Sequence, residues 1–260
     1  MTKIGTGASA GDAFEIVSGQ TGNRLLLLCD HASNAVPPAY GDLGLPREQF
    51  ERHIGYDIGA RDVVLGLAGR LGATAVLSRF SRLLIDPNRG MDDPTLIMRI
   101  SDGAMIPGNA RIGEAERHDR IARFHQPYHR AIGGAIEALT SQGLVPFIVS
   151  IHSFTPAWKG VQRPWQVGIL WDQDEAVARA MITGFERQGD LTVGDNEPYH
   201  GALEGDTIYT HGTLRGLPHA LIEIRQDLIG GKTGVDEWVR RVAQVIEPIM
   251  YGAIRGEQTP

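Results

Sequence analysis

Phe147-Ile-Val-Ser-Ile151-His152-Ser153 is the stretch on which the reading of this chain turns. Its apolarity is continuous rather than alternating, the mark of a strand covered on both faces, as in parallel sheets. His152 follows where such a strand reaches the rim of the sheet, the place where α/β proteins hold their chemistry. Two other runs end in the same way, Leu25-Leu-Leu-Leu-Cys-Asp-His31 and Ala220-Leu-Ile-Glu223-Ile-Arg225.

Working outward, short apolar runs predict strands at residues 24–29, 74–77, 82–85, 146–151, 166–171 and 219–224. Helical spacing lies between them. Residues 58–71 carry Val63, Val64, Leu67 and Leu71 on one stripe, and residues 235–250 carry Trp238, Val242, Val245, Ile246 and Ile249. A longer helical region, 113–139, is expected to split or kink at Pro127. The alternation predicts an α/β fold of three layers, α/β/α, around a mixed, mainly parallel central sheet. Residues 1–22 are rich in Gly, Ser and Ala, with a weak strand signal at Phe14-Glu-Ile-Val17, and are read as an N-terminal arm. Residues 23–260 are read as a single domain, because no shift in charge or composition divides them. The irregular stretch 90–111 has the length of a binding loop.

Composition narrows the function. With 42% hydrophobic residues the 260-residue chain buries a core. Lys+Arg 25 against Asp+Glu 31 gives a net charge of −6, which argues against a general binder of nucleic acid or membrane surface. An anionic substrate then needs a local arginine cluster. Cys29 is the one cysteine, so no intramolecular disulfide is expected, and no secretory pattern opens the sequence. A reducing, cytoplasmic setting is the expectation. The longest apolar runs fall far short of the about 20 residues that span a bilayer.

The three strand ends carry the candidate chemistry. Each of His31 and His152 has a plain reading, a histidine closing a turn. Two of them at one rim point instead to a shared ion, since neutral imidazole is the commonest metal ligand. A dication with two neutral ligands gains affinity from one fixed anion, and Asp57, in His53-Ile-Gly-Tyr-Asp57, is the choice; its competing reading is an N-cap. Asn34 is the alternative ligand, and Asp30 a further one, although a strand sends Asp30 and His31 to opposite faces. Two histidines and one carboxylate leave zinc an open position for water, so Zn2+ is the expected cofactor and hydrolysis the expected chemistry.

Glu223 in an apolar strand is costly unless paired. It is either the partner of Arg225, two residues on and on the same face, or a general base that takes a proton from water and passes it to the leaving nitrogen. Asp86-Pro-Asn88-Arg89 reads as a turn or as a clamp for a substrate carboxylate, which arginine's planar fork matches. Arg82 and Arg225 are the further substrate-binding candidates, with Arg79, Arg99 and Arg163 as additional cations. His211, in Tyr209-Thr-His-Gly212, is read as an oxyanion stabiliser or substrate contact, against a surface-loop histidine. His125 and His129 lie four apart on a helix without a glutamate after His125, and are read as supporting groups at the edge of the core. No phosphate loop occurs, and no Gly-x-Ser-x-Gly elbow follows any of the predicted strands.

The blocks Cys29-Asp-His-Ala-Ser-Asn34, His53-x-x-x-Asp57-x-Gly-Ala60, Ser81-Arg-Leu-Leu-Ile-Asp86-x-Asn-Arg89, Ile106-Pro-Gly-Asn109, Phe124-His-x-Pro-Tyr-His129, Ile151-His-Ser153 and Glu223-Ile-Arg-Gln-Asp-Leu228 together resemble the N-formylglutamate amidohydrolase family. That family is similar in architecture to the zinc carboxypeptidases. The resemblance therefore implies their phosphorylase/hydrolase-like fold, with His31 and His152 as ligands, Asn88 and Arg89 as carboxylate binders and Glu223 as base. The chain departs from the carboxypeptidase His-x-x-Glu motif at Asn34, which is why Asp57, in a block shared with the amidohydrolases, is preferred as third ligand. The implied activity is hydrolysis of an N-acyl amino acid, foremost N-formyl-L-glutamate to formate and L-glutamate, in histidine catabolism. The rival readings are a hydrolase of another acyl amino acid or small peptide, and a metal-free sensor of acidic amino acids using the same Arg89 clamp.

Overall fold

The computed structural model of the protein describes residues 13–252. Seven strands form one sheet: β1 (Phe14–Val17), β2 (Leu25–Cys29), β3 (Thr74–Ser78), β4 (Phe147–Phe154), β5 (Val167–Leu170), β6 (Val193–Asp195) and β7 (His219–Arg225). Their order is β1-β3-β2-β4-β7-β5-β6. β1 pairs antiparallel with β3 and β5 antiparallel with β7, and the other neighbours are parallel. The sheet is mixed and mainly parallel, as expected.

The uniform apolarity of β2 has a direct cause, because alternate residues serve two cores. Leu25, Leu27 and Cys29 pack into one cluster with α1 (Ala60–Leu71), α3 (Glu175–Glu186) and α5 (Lys232–Gly252). Leu26 and Leu28 pack into the other, with α2 (Gln126–Thr140) and the loop residues Phe80, Leu83, Ile85 and Ile106. Helices therefore cover both faces, giving three layers. Each fully buried Leu, Ile or Val side chain contributes about 1.5–3 kcal/mol, which is why the sheet centre tolerates so few polar residues. On the first face α1 and α5 approach closely at Gly66, where a Cβ would meet Val239 Cγ2 at 2.5 Å.

Two expectations are corrected, the weak strand signal at Phe14–Val17 is borne out, and one helix lies outside the expected set. The sheet does not include 82–85: Ser81 folds this stretch into a turn, its Oγ accepting from Leu83 N at 3.2 Å and donating to Gly55 O at 2.7 Å, and the residues are apolar because they fill the second core. Part of the N-terminal arm, Phe14–Val17, is an edge strand of the same sheet, while residues 1–12 lie outside the described residues. The region 113–139 does not break at Pro127. A π turn, Ile121–His125, joins Glu114–Arg120 to α2 just ahead of that proline, where the missing N–H puts the ladder out of step. Helix α3 is not among the expected elements, although Asp174 caps it and Ala178, Met181, Ile182 and Phe185 are spaced as a buried stripe.

The stretch 90–111 holds a small hairpin, Ile100–Ser101 with Ala104–Met105, and one helical turn, Pro107–Ala110. Asn109 ties it down, donating to the carbonyls of Leu83 and Met98 and accepting from Arg120. Among the described residues no helix is long and apolar enough to cross a membrane.

Candidate active site

Because β2, β4 and β7 run parallel, their C-terminal ends meet at one rim, and Glu223 is register partner of His152. His31 follows β2, and its carbonyl accepts from Asp57 N at 3.0 Å, which brings residue 57 to the same rim. Asp57 is not the N-cap of α1; that position is Gly59, with φ 80°, whose Cβ would strike Ile229 O at 2.2 Å. The Asp57 carboxylate is thus available for the site.

His31, Asp57 and His152 each offer one ligand atom, all within 4.8 Å of one another, and all three are buried. Asp57 Oδ2 lies 3.3 Å from His31 Nδ1 and 2.8 Å from His152 Nδ1. The far nitrogens are held by separate carboxylates. His31 Nε2–H donates to Asp86 Oδ1 at 2.7 Å, and His152 Nε2–H donates to Asp30 Oδ2 at 3.0 Å. Asp30 is itself saturated by Tyr128 Oη, Ser150 Oγ and Thr207 Oγ1. Burial alone would raise the carboxyls of Asp30, Asp57 and Asp86, but hydrogen bonds and the imidazoles, with Arg82 at Asp86, hold all three below the ordinary range. Burial also opposes charge on His152, yet its bonds to Asp30 and Asp57 outweigh it and hold the imidazole well above its ordinary value.

These residues fit a divalent cation. Carboxylate backing at Nε2 fixes both rings so that each Nδ1 faces the shared point. Asp57 Oδ1 is buried without a hydrogen-bond partner among the described residues; the Arg82 guanidinium and His53 Nδ1 each lie 3.6 Å away. The donor set, two imidazoles and a carboxylate, is that of zinc hydrolases.

A cavity of about 570 Å³ opens over this group and is lined by His31, Asp57, Arg82, Asn88, Arg89, His152 and Glu223. Glu223 is buried, with Oε2 unpartnered among the described residues, and burial pushes its carboxyl up to about 7. The Glu223–Arg225 pair, the alternative to a general base, does not form: Arg225 Nε donates to Asp227 Oδ1 at 2.8 Å, in the turn its own strand leads into, and Arg225, expected as a substrate contact, does not line the cavity. Asn88 lines the cavity, and its Oδ1 accepts from Thr207 N at 3.0 Å. Arg89 shares that wall. Arg82 lies on the floor, bound to Asp86 at 2.8 Å.

His211 is also outside the cavity. It sits on α4 (Thr207–His211), whose buried face carries it towards His129, 2.9 Å away. Asn34 lines a separate depression and not this cavity. Three roles escaped the reading of the sequence, which weighed Asp30 only as a ligand and Asp86 only within a turn or clamp. Asp30 and Asp86 were visible beside His31 and Asn88, but each backs a residue distant in sequence. Asp206, the N-cap of α4, lines the cavity with a carboxyl that burial pushes up to about 7.

The sequence matches the N-formylglutamate amidohydrolase family over residues 23–230. Among solved structures, a gene product of Agrobacterium tumefaciens is 34% identical, with a TM-score of 0.89, covering 94% of this chain and 97% of that one. An N-formylglutamate amidohydrolase from Ralstonia eutropha JMP134 is 23% identical with a TM-score of 0.69, covering 94% of this chain and 99% of that one, a likeness of fold. No curated protein matches the chain. Fold, site and family match together define an amidohydrolase. The chain belongs to the N-formylglutamate amidohydrolase family.

Proposed function

We propose that the chain hydrolyses the formyl amide of N-formyl-L-glutamate, giving formate and L-glutamate, with a zinc ion held by His31, Asp57 and His152. The observation that carries this reading is the meeting of the three grouped donors and an unpartnered glutamate in one cavity. A zinc ion bound there supplies Lewis acidity and makes water more acidic at neutral pH. Glu223 takes the proton of the attacking water at its carboxylate and delivers it to the amide nitrogen as the C–N bond breaks. Its raised pKa suits both halves of that transfer. Asn88 and Arg89 hold one substrate carboxylate.

Formate release should be measured with zinc-loaded, chelated and zinc-restored protein on formyl-, acetyl- and longer acyl-glutamates. Turnover is expected with the formyl substrate, lost on chelation and recovered with zinc. Glu223→Gln is expected to keep bound zinc and substrate affinity while kcat falls roughly 10²- to 10⁴-fold. Full turnover by the chelated protein, or by a zinc-replete Gln variant, would overturn the mechanism.

A further inference from the structure

Behind the cavity wall lies a second set of histidines, His125 and His211 buried and His129 half-buried. His129 Nε2–H donates to Pro87 O at 2.9 Å, and His125 Nε2–H donates to Arg89 O at 2.9 Å. Between them, Asn88 O accepts from Arg89 Nη1 at 2.7 Å. Three successive carbonyls of the loop that presents Asn88 and Arg89 are therefore each held by a side chain. We propose that His129, backed by His211 and flanked by His125, is a positioning residue that sets this loop for substrate binding. The inference rests on the reading of Arg89 as a carboxylate clamp.

The bonds define one direction. A carbonyl only accepts, so His129 carries its proton on Nε2, and its Nδ1 then accepts from His211 Nε2–H at 2.9 Å. His211 Nδ1 and His125 Nδ1 are buried without partners among the described residues, as unprotonated nitrogens can be. Burial supports this neutral state, pushing His125 to about 4, His211 to about 3 and His129 below its ordinary value. The π turn Ile121–His125 sets the helix so that the His125 and His129 rings lie 4.3 Å apart beneath the loop, with the His129 and His211 rings stacked at 5.2 Å. Among the described residues the three do not form a group with metal-ligand geometry. Their chemistry is that of donors fixing a backbone, and a misplacement of about 1 Å in a binding group is enough to cost up to 10²-fold in rate.

The test compares wild type, Arg89→Ala, His129→Leu, His125→Leu and His129→Gln on N-formyl-L-glutamate and on two analogues, each with one carboxylate converted to an amide. Arg89→Ala should raise KM for the diacid and for one analogue, and spare the analogue that lacks the matched carboxylate. His129→Leu and His125→Leu should repeat that selectivity, with KM up roughly five- to tenfold for a lost hydrogen bond and kcat changed less. His129→Gln, whose amide nitrogen reaches the same carbonyl, should recover most of the loss. Equal loss on all three substrates in the leucine variants, with Arg89→Ala still selective, overturns the inference and leaves the cluster as packing. An unselective Arg89→Ala overturns the clamp itself, and the inference with it. The leucine variants probe separate carbonyls, so if one fails to fold the other decides.

Discussion

The two histidine groups of this protein differ in what their Nε2 atoms meet. At the cavity, His31 and His152 lean on the carboxylates of Asp86 and Asp30. Behind the wall, His125 and His129 lean on the carbonyls of Arg89 and Pro87. A carboxylate stabilises added positive charge on the ring, so His152 is raised well above its ordinary value and stands with His31 and Asp57 in a group of donors that could hold a cation. A carbonyl offers only a dipole, burial prevails, and His125 falls to about 4. The backing group thus separates the proposed ligands from the proposed struts, with the residue type unchanged.

The largest expected effect breaks the first group outright. His152→Ala should abolish stoichiometric zinc binding and turnover, whereas His125→Ala should retain bound zinc; metal analysis of both proteins decides, and zinc loss in the second would erase the distinction. A smaller effect tests the backing itself. Asp30→Asn or Asp86→Asn should weaken zinc affinity by roughly 10- to 100-fold, read by competition with a chelator. Unchanged affinity would mean that the carboxylates do not prepare the rings.

The pH dependence of stability sharpens the other side. His211 and His125 stay neutral in the fold but titrate at about 6.5 in the unfolded chain. Below that pH the unfolded chain takes up protons that the folded chain refuses, so their contribution is full above about 6.5 and falls as pH drops towards about 4 for His125 and about 3 for His211. His211→Phe should make the decline between pH 7 and pH 5 shallower, by up to about 1.4 kcal/mol per unit, in denaturant titrations. An unchanged slope would show the ring protonated in the fold. The smallest effect is expected for Arg225→Ala, which belongs to neither group: its pair with Asp227 is at the protein's edge, and KM and kcat should stay within about twofold of wild type. A large rise in KM would return Arg225 to the substrate.

Much of the architecture was legible. Continuous apolar runs announced strands covered on both faces, and the histidines and glutamate at their ends announced a rim with chemistry. That follows because hydrophobic period and the direction of a strand's exit are local properties, written in neighbouring residues. Residues 82–85 misled for the same reason: their apolarity records burial, and burial in a turn looks like burial in a sheet.

The partners were a different matter. Sequence determined which residue types stood at the strand ends, and nearly the whole order of elements between them. Tertiary structure decided that Asp57 turns into the cavity and Gly59 caps the helix, that Arg225 binds Asp227 and not Glu223, and that His211 reaches His129 rather than the cavity. The bonds that assign these roles cross long stretches of chain, 122 residues from Asp30 to His152 and 177 from Asp30 to Thr207. The group that each buried imidazole nitrogen meets, carboxylate or carbonyl, is brought there only by the packing of the sheet against its helices.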